Sequence, residues 1–183
     1  MVAVRLATAR DAAAITAIYV PYVTGSTVSF ETEPPSEEAM EARIIASASL
    51  YPWLVAVDEA DRILGYAYGC AFRPRAAYRF AVETSVYVDG DSQRRGIGGR
   101  LYGELLPLLE AQGFTQAIAA ITLPNPASVR LHESHGFAAA GIYRDVGYKL
   151  GDWLSVGLWQ RALAPLAAPP DEPRPIAAVW RGA

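Results

Sequence analysis

Apolar and polar positions alternate over residues 2–7, the period of a half-buried strand. From Thr8 or Arg10-Asp11 the pattern turns helical to about Val23, with Pro21 set to end or kink the last turn. Residues 25–35 show no period and read as a long loop carrying an exposed aromatic, Phe30. Ser36 can cap a helix reaching about Ser49, and Glu37 and Glu38 suit its positive first turn. Apolar runs at 53–57 and 63–72 flank the acidic turn Asp58-Glu59-Ala60-Asp61 and predict a hairpin.

After a basic connection at 73–79 comes another strand. Ala81, Glu83, Ser85 and Tyr87 take one side of it, and Val82, Thr84, Val86 and Val88 the other. One side is expected to face the core and the other a cleft. From about Gly96 a helix shows Ile97, Leu101, Leu105, Leu108 and Leu109 in one stripe, with Gly113 as its stop. Pro107 predicts a kink, because the Gly103 carbonyl loses its donor. A strand at 116–122 follows, then Asn125-Pro126 as cap and first turn of a helix ending at Gly136. Strands near 138–144 and 154–160 complete the order. Mostly antiparallel strands with interposed helices predict a mixed α/β fold, a single domain over residues 1–163. From 164 to 183 Pro, Ala and Arg dominate, which predicts a poorly ordered tail.

Composition narrows the chemistry. With 183 residues, 52% of them hydrophobic, there is material for one well-buried core. A net charge of -3 argues against a chain-wide attraction to nucleic acid. No apolar run approaches the roughly 18 residues that would cross a membrane, and residues 2–7 lack the features of a secretory signal. A lone Cys70 allows no internal disulfide and suits a reducing cytoplasm; in its apolar strand it reads as a buried structural thiol. Two histidines and one cysteine without ligand spacing predict no metal site.

The segment Gln93-Arg94-Arg95-Gly96-Ile97-Gly98-Gly99 joins a strand to a helix through glycines. Such a joint presents unpaired N–H groups backed by the helix dipole, a cradle for a phosphate. A P-loop would need Lys-Ser or Lys-Thr after its last glycine, and neither is present. A dinucleotide fingerprint would need glycine where Leu101 stands and an acid about twenty residues on, yet residues 112–121 hold none. The remaining reading is the Gln/Arg-x-x-Gly-x-Gly turn that binds the pyrophosphate of coenzyme A.

On this motif the chain resembles the GCN5-related N-acetyltransferases, and within them the phosphinothricin and methionine sulfoximine acetyltransferases. The likeness runs from about Val4 to Arg161. It includes the blocks at 27–35, 76–79 and 83–88, then Leu109-Glu110-Ala111-Gln112-Gly113-Phe114, the block at 123–133, Gly147-Tyr148-Lys149 and Trp159-Gln160-Arg161. The resemblance implies a central twisted, mostly antiparallel sheet with flanking helices and a V-shaped acetyl-CoA cleft. It implies acetyl-CoA as cofactor, held by backbone groups from Arg94 to Gly99 with Gln93, by main-chain groups of Ser85, Val86 and Tyr87, and by Asn125 and Ser128. The Val86 N–H would polarise the thioester carbonyl. It also implies a small amino-acid-like amine as substrate, of phosphinothricin, sulfoximine or sulfone type, and a homodimer.

An amine attacks a thioester only when neutral, so a base is needed, and Glu83 on the presumed cleft side is the candidate. Set against it is a glutamate on the solvent side of a sheet. His132 is the second candidate, as acid, base or positioning group, against a structural helix-face histidine. His135, beside Gly136, suits the negative end of its helix. Arg73, Arg75 and Arg79, with Tyr78 among them, could clamp a substrate carboxylate or form a solvated loop. Phe30 and Glu31 would close over the substrate's side-chain end. Peptide N-terminal acetylation and a non-catalytic CoA-binding module stand as alternatives.

Overall fold

Alternation along the strands sorts the apolar residues into two layers of core. In β2 (Trp53–Val57) all five residues are buried. Leu54 and Ala56 join one cluster, while Trp53, Val55 and Val57 join the other. A strand buried on both faces needs cover on both, and the helices supply it. The computed structural model describes residues 2–180.

The strands are β1 (Ala3–Leu6), β2, β3 (Ile63–Ala71), β4 (Ala81–Val88), β5 (Gln116–Leu123), β6 (Ala138–Lys149) and β7 (Asp152–Ala162). The helices are α1 (Ala12–Thr24), α2 (Glu37–Ser47), α3 (Ile97–Gln112), α4 (Pro126–Ser134) and α5 (Ile176–Val179). The sheet runs β1-β2-β3-β4-β5-β7-β6. Ile15, Ile18, Tyr19 and Val23 of α1 and Met40 and Ile44 of α2 cover one face. Ile97, Leu101, Leu105, Leu108 and Leu109 of α3, the stripe expected from their spacing, cover the other.

Every described strand pair is antiparallel except β4·β5. That parallel pair keeps register over Ala81↔Gln116, Val82↔Ala117 and Glu83↔Ile118 only, after which β4 and β5 run on unpaired with each other. At the parting, the Thr84 hydroxyl lies 3.3 Å from the Ile118 carbonyl, the last acceptor of the ladder.

α3 runs through Pro107, where the Gly103 carbonyl lacks its helical donor. β6 and β7 form a longer hairpin than the pattern suggests. β6 is exposed along most of its length and its pairing shifts register twice, which erases the alternating signal.

The chain beyond residue 164 also departs from the expected disorder. Its part from Glu172 to Trp180 returns to the domain. The fully buried Gln112 donates to the carbonyls of Leu50 and Arg174, at 2.7 and 2.8 Å, and its own carbonyl receives the Arg174 N–H. Ile176 is buried and its N–H reaches Ser49 O at 3.0 Å. Composition hides this docking because it rests on a few side chains far apart in sequence: Ile176, Val179 and Trp180, the Gln112 amide, and Glu172 held by Arg79. Replacing Gln112 by Ala leaves two carbonyls unpaired and should cost about 1–3 kcal/mol in urea denaturation. Amide exchange at Arg174 and Ile176 should quicken in the same variant; unchanged exchange there would show the tail held by other contacts.

Candidate active site

The parting of β4 from β5 creates a free strand edge inside the sheet. Antiparallel partners alternate in where they aim their backbone groups. Asp89 N donates to Leu64 O at 2.9 Å, which with the β3·β4 register turns the backbone groups of Tyr87, Ser85 and Glu83 toward β3. Those of Thr84, Val86 and Val88 therefore point the other way, into the gap. The Val88 carbonyl is taken by the Tyr22 hydroxyl at 2.6 Å. Val86 is left with a donor and an acceptor aimed at whatever fills the opening. Ser85, Val86, Tyr87, Thr122, Asn125, Ser128 and His132 are among the residues around it. Val82 and Thr84 are buried on the α3 side of β4, while Ala81, Glu83 and Ser85 on the other side are half-buried; Tyr87 on that side is covered by the Tyr19–Tyr22–Tyr66 aromatic group, and the strand also opens at its edge.

This gap opens into a cavity of about 480 Å³ bordered by Gln93, Arg94, Gly96, Ile97, Gly98 and Gly99. The two share Val28, Val86, Asn125 and Ser128 and so form one channel. Arg94 (φ 58) and Gly96 (φ 75) are both left-handed, and Gly96 precedes α3 with no side-chain cap. The first amides of a sixteen-residue helix are thus open to an anion. A Cβ at Gly98 would come within 3.0 Å of Leu131, so glycine lets α3 approach α4. Ser92, absent from the sequence reading, borders the cavity with a fully buried hydroxyl that has no protein partner. Arg95 does not border it. A peptide-like edge leading to an amide cradle fits a ligand with an amide-bearing arm and a pyrophosphate, as coenzyme A has.

Asn125 caps α4, its Oδ1 accepting from Ser128 N at 3.1 Å, which leaves its amide NH₂ on the channel wall. His132, on the same helix, is buried. Its Nδ1 lies 2.7 Å from Ser128 O and its Nε2 2.8 Å from the Tyr102 hydroxyl. Burial holds its pKa below the ordinary imidazole value. Glu83 sits at the last paired rung, where burial raises its pKa and the nearby Arg73 charge opposes the rise. Thr84 meets Tyr102 on the α3 side, so by alternation Glu83 points to the opposite face. The two candidate acid–base groups therefore approach the gap from opposite sides of β4 and are not hydrogen-bonded to each other. Beside Glu83, burial pushes the Cys70 thiol up to about 12, in keeping with an unreactive structural role.

Arg73, Arg75, Tyr78 and Arg79 line one recess of about 170 Å³ that includes Ala81, two residues before Glu83. Arg73 donates to the Tyr143 hydroxyl at 3.0 Å and lies over the Phe72 and Tyr78 rings. Arg79 departs from the expected clamp: its guanidinium grips Glu172 of the tail at 2.7–2.9 Å. Glu31 is likewise committed elsewhere, bound by both Arg43 nitrogens (2.8 and 3.1 Å) and by the Tyr19 hydroxyl at 3.0 Å. The Arg43 contacts hold its carboxyl below the usual range. Tyr19 also meets Ser29 Oγ at 2.6 Å, and the buried Lys149 donates to Ser29 O at 2.6 Å. These ties fix the 25–35 loop and present Phe30, whose ring edge rests on Gly147 of β6. Neither the Arg43 nor the Lys149 partnership has a local sequence signal, since each joins residues far apart in the chain.

Comparison with known proteins gives the same picture. Residues 4–156 match the family described as the acetyltransferase (GNAT) domain. A phosphinothricin N-acetyltransferase of Streptomyces viridochromogenes is 45% identical over 175 residues, 96% of this chain and 94% of that protein. An L-methionine sulfoximine/L-methionine sulfone acetyltransferase of Pseudomonas aeruginosa is 37% identical over 169 residues, covering 91% of this chain and 98% of that one. The crystal structure of a phosphinothricin acetyltransferase from Sinorhizobium meliloti in complex with AcCoA superposes with a TM-score of 0.86 at 39% identity, covering 94% and 92% of the two chains.

The contact between Phe30 and Gly147 makes a direct test of the loop's anchoring. A methyl group at Gly147 overlaps the Phe30 ring, so Gly147→Ala should destabilise the protein by about 1–3 kcal/mol. Adding Phe30→Ala should recover most of that loss, a coupling that denaturation of the single and double variants will measure. Strictly additive effects would separate Phe30 from Gly147.

Proposed function

The chain belongs to the GNAT acetyltransferases, and on that premise we propose that it acetylates the α-amine of a small anionic amino acid or analogue in the cytoplasm. The observation that carries the proposal is the free Val86 edge leading without interruption to the amide cradle at Gly96–Gly99. Acetyl-CoA supplies the acetyl group as a thioester. Its pyrophosphate suits the α3 amides, and its pantetheine arm suits the Val86 backbone pair and the Asn125 amide. The names of the relatives support a substrate with a tetrahedral phosphinate, sulfoximine or sulfone end. The arginine recess beside β4 supports a carboxylate on that substrate, with Arg73 and Arg75 its available cations. Phe30 is presented for contact with the substrate's side chain.

Glu83 takes the proton from the substrate ammonium. A carboxylate whose pKa is raised by burial is a better base than one in water. The Val86 N–H is the fixed donor for the oxygen on which negative charge grows during acyl transfer. His132, engaged at both nitrogens, is not needed for either task.

The same reading places a second copy of the chain on the β6–β7 hairpin. Ile142, Tyr143, Val146, Tyr148, Leu150 and Trp153 are between 46% and 65% exposed there, an apolar concentration unusual for a free surface. β6 is also the sheet's edge. A homodimer through this hairpin would bury both.

Thiol release from acetyl-CoA should occur with phosphinothricin or methionine sulfoximine and be weak with a peptide N-terminus; no release with any amine would falsify the enzymatic reading. Glu83→Gln should lower turnover by about 10²–10⁴-fold, with acetyl-CoA affinity within roughly twofold of the parent. The base works deprotonated and its pKa is raised, so activity should begin to fall at a higher pH than an ordinary carboxylate would give as the solution is acidified. A parent profile flat down to the ordinary carboxylate range would count against Glu83. Val146→Asp should shift sedimentation from dimer to monomer; an unchanged dimer would place the interface elsewhere.

A further inference from the structure

Behind the channel, a hydrogen-bond chain with one direction runs from Tyr102 through His132 to the Ser128 carbonyl. The Ser128 carbonyl can only accept, so its 2.7 Å contact requires the proton on His132 Nδ1. Burial favours the neutral ring, which leaves Nε2 as a bare acceptor. The 2.8 Å contact to that nitrogen then uses the single proton of the Tyr102 hydroxyl. The Thr84 hydroxyl is a competing acceptor for that proton at 3.3 Å, and the shorter 2.8 Å contact to His132 takes it. Tyr102 is fully buried, and its ring also packs edge-on against His132.

The chain joins two elements beside the gap. Tyr102 is on α3, the helix whose first turn forms the anion cradle. His132 and Ser128 are on α4, with Asn125 as its cap. Thr84, the first β4 residue past the last rung shared with β5, stands next to Tyr102.

We propose that Tyr102 is a positioning residue for acetyl transfer: it fixes His132 as the neutral Nδ1–H imidazole and thereby sets where Ser128 and Asn125 stand against the reacting end of the channel. This goes beyond the proposed reaction and rests on it only for the kinetic part of the test. Tyr102 touches neither the substrate nor the cofactor; it acts through His132. A ligand that hydrogen-bonds to His132 Nε2 must first displace the Tyr102 hydroxyl. A phenylalanine at this position keeps the packing and removes the direction.

Two-bond ¹H–¹⁵N correlation spectra of the full chain read the tautomer without any assay. The wild-type protein has two histidines, and at pH 8, above the ordinary imidazole range, His132 should show a protonated Nδ1 and an unprotonated Nε2. In Tyr102→Phe, the His132 Nε2 signal should move downfield as it loses its donor. The same variant should lose on the order of tenfold in kcat, with the acetyl-CoA KM changed less than about threefold, because misplacement at the reacting end affects orientation more than binding. An Nε2-protonated or averaging His132 in the wild type overturns the proposal whatever the variant does, including a variant that fails to fold. Parent-like kinetics together with an unmoved Nε2 signal in Tyr102→Phe overturn it too, leaving Tyr102 as packing. Absence of activity in the wild type would instead count against the proposed reaction, and the tautomer result would stand apart from it.

Discussion

A sheet must break its own ladder for this site to exist. β4 and β5 share three rungs, and the rest of the molecule is arranged around the place where they stop. Lost pairing in a buried sheet is costly because backbone N–H and C=O groups have no water to turn to. A side chain meets part of that need here: the Tyr22 hydroxyl takes Val88 O. Val86 alone among the gap-facing residues has no protein group described at its backbone. The unmet demand of one residue is what an incoming extended arm can satisfy, by the same bonds that would otherwise have continued the sheet.

The walls on either side of the opening are held by different means. The α3 side is fixed by apolar packing, with Leu101, Leu105 and Leu109 fully buried, so the anion cradle sits on a rigid base. The loop side is fixed by polar ties from three separate elements, through Tyr19, Arg43 and Lys149. Polar ties of this kind are individually modest. Their value is in geometry, since three anchors on a loop of ordinary length leave it few alternative positions. The chemistry thus has a stiff floor and a tethered side wall.

Much of this was legible in the sequence because it depends on local rules. The Ser36 and Asn125 caps, the α3 stripe and the Gly113 stop each follow from a few adjacent residues, and each is found where the pattern puts it. The glycine turn was legible for the same reason. The edge-on nature of the opening was not, since alternation along β4 says which face a side chain takes and nothing about whether β5 continues beside it. Arg79 and Glu31 illustrate a second limit. Both carry the right charge near the right strand, but Glu172 and Arg43, distant in sequence, decide where those charges point. His132 could be named as a candidate from its residue type. Its commitment to Tyr102 came only from the packing of α3 against α4.

The sheet order has a consequence for how the molecule comes into being. β7 lies between β5 and β6, although it is made after both. A nascent chain that has completed β5 and β6 still lacks the strand that joins them, and within the sheet β5 then has only its three rungs with β4. Its other edge is bare and apolar at that stage, a template for pairing with any neighbouring chain. Ribosomal release of the last strand is therefore the step that both closes the sheet and removes its stickiest surface. A chain cut short within β7 would leave that edge of β5 uncovered.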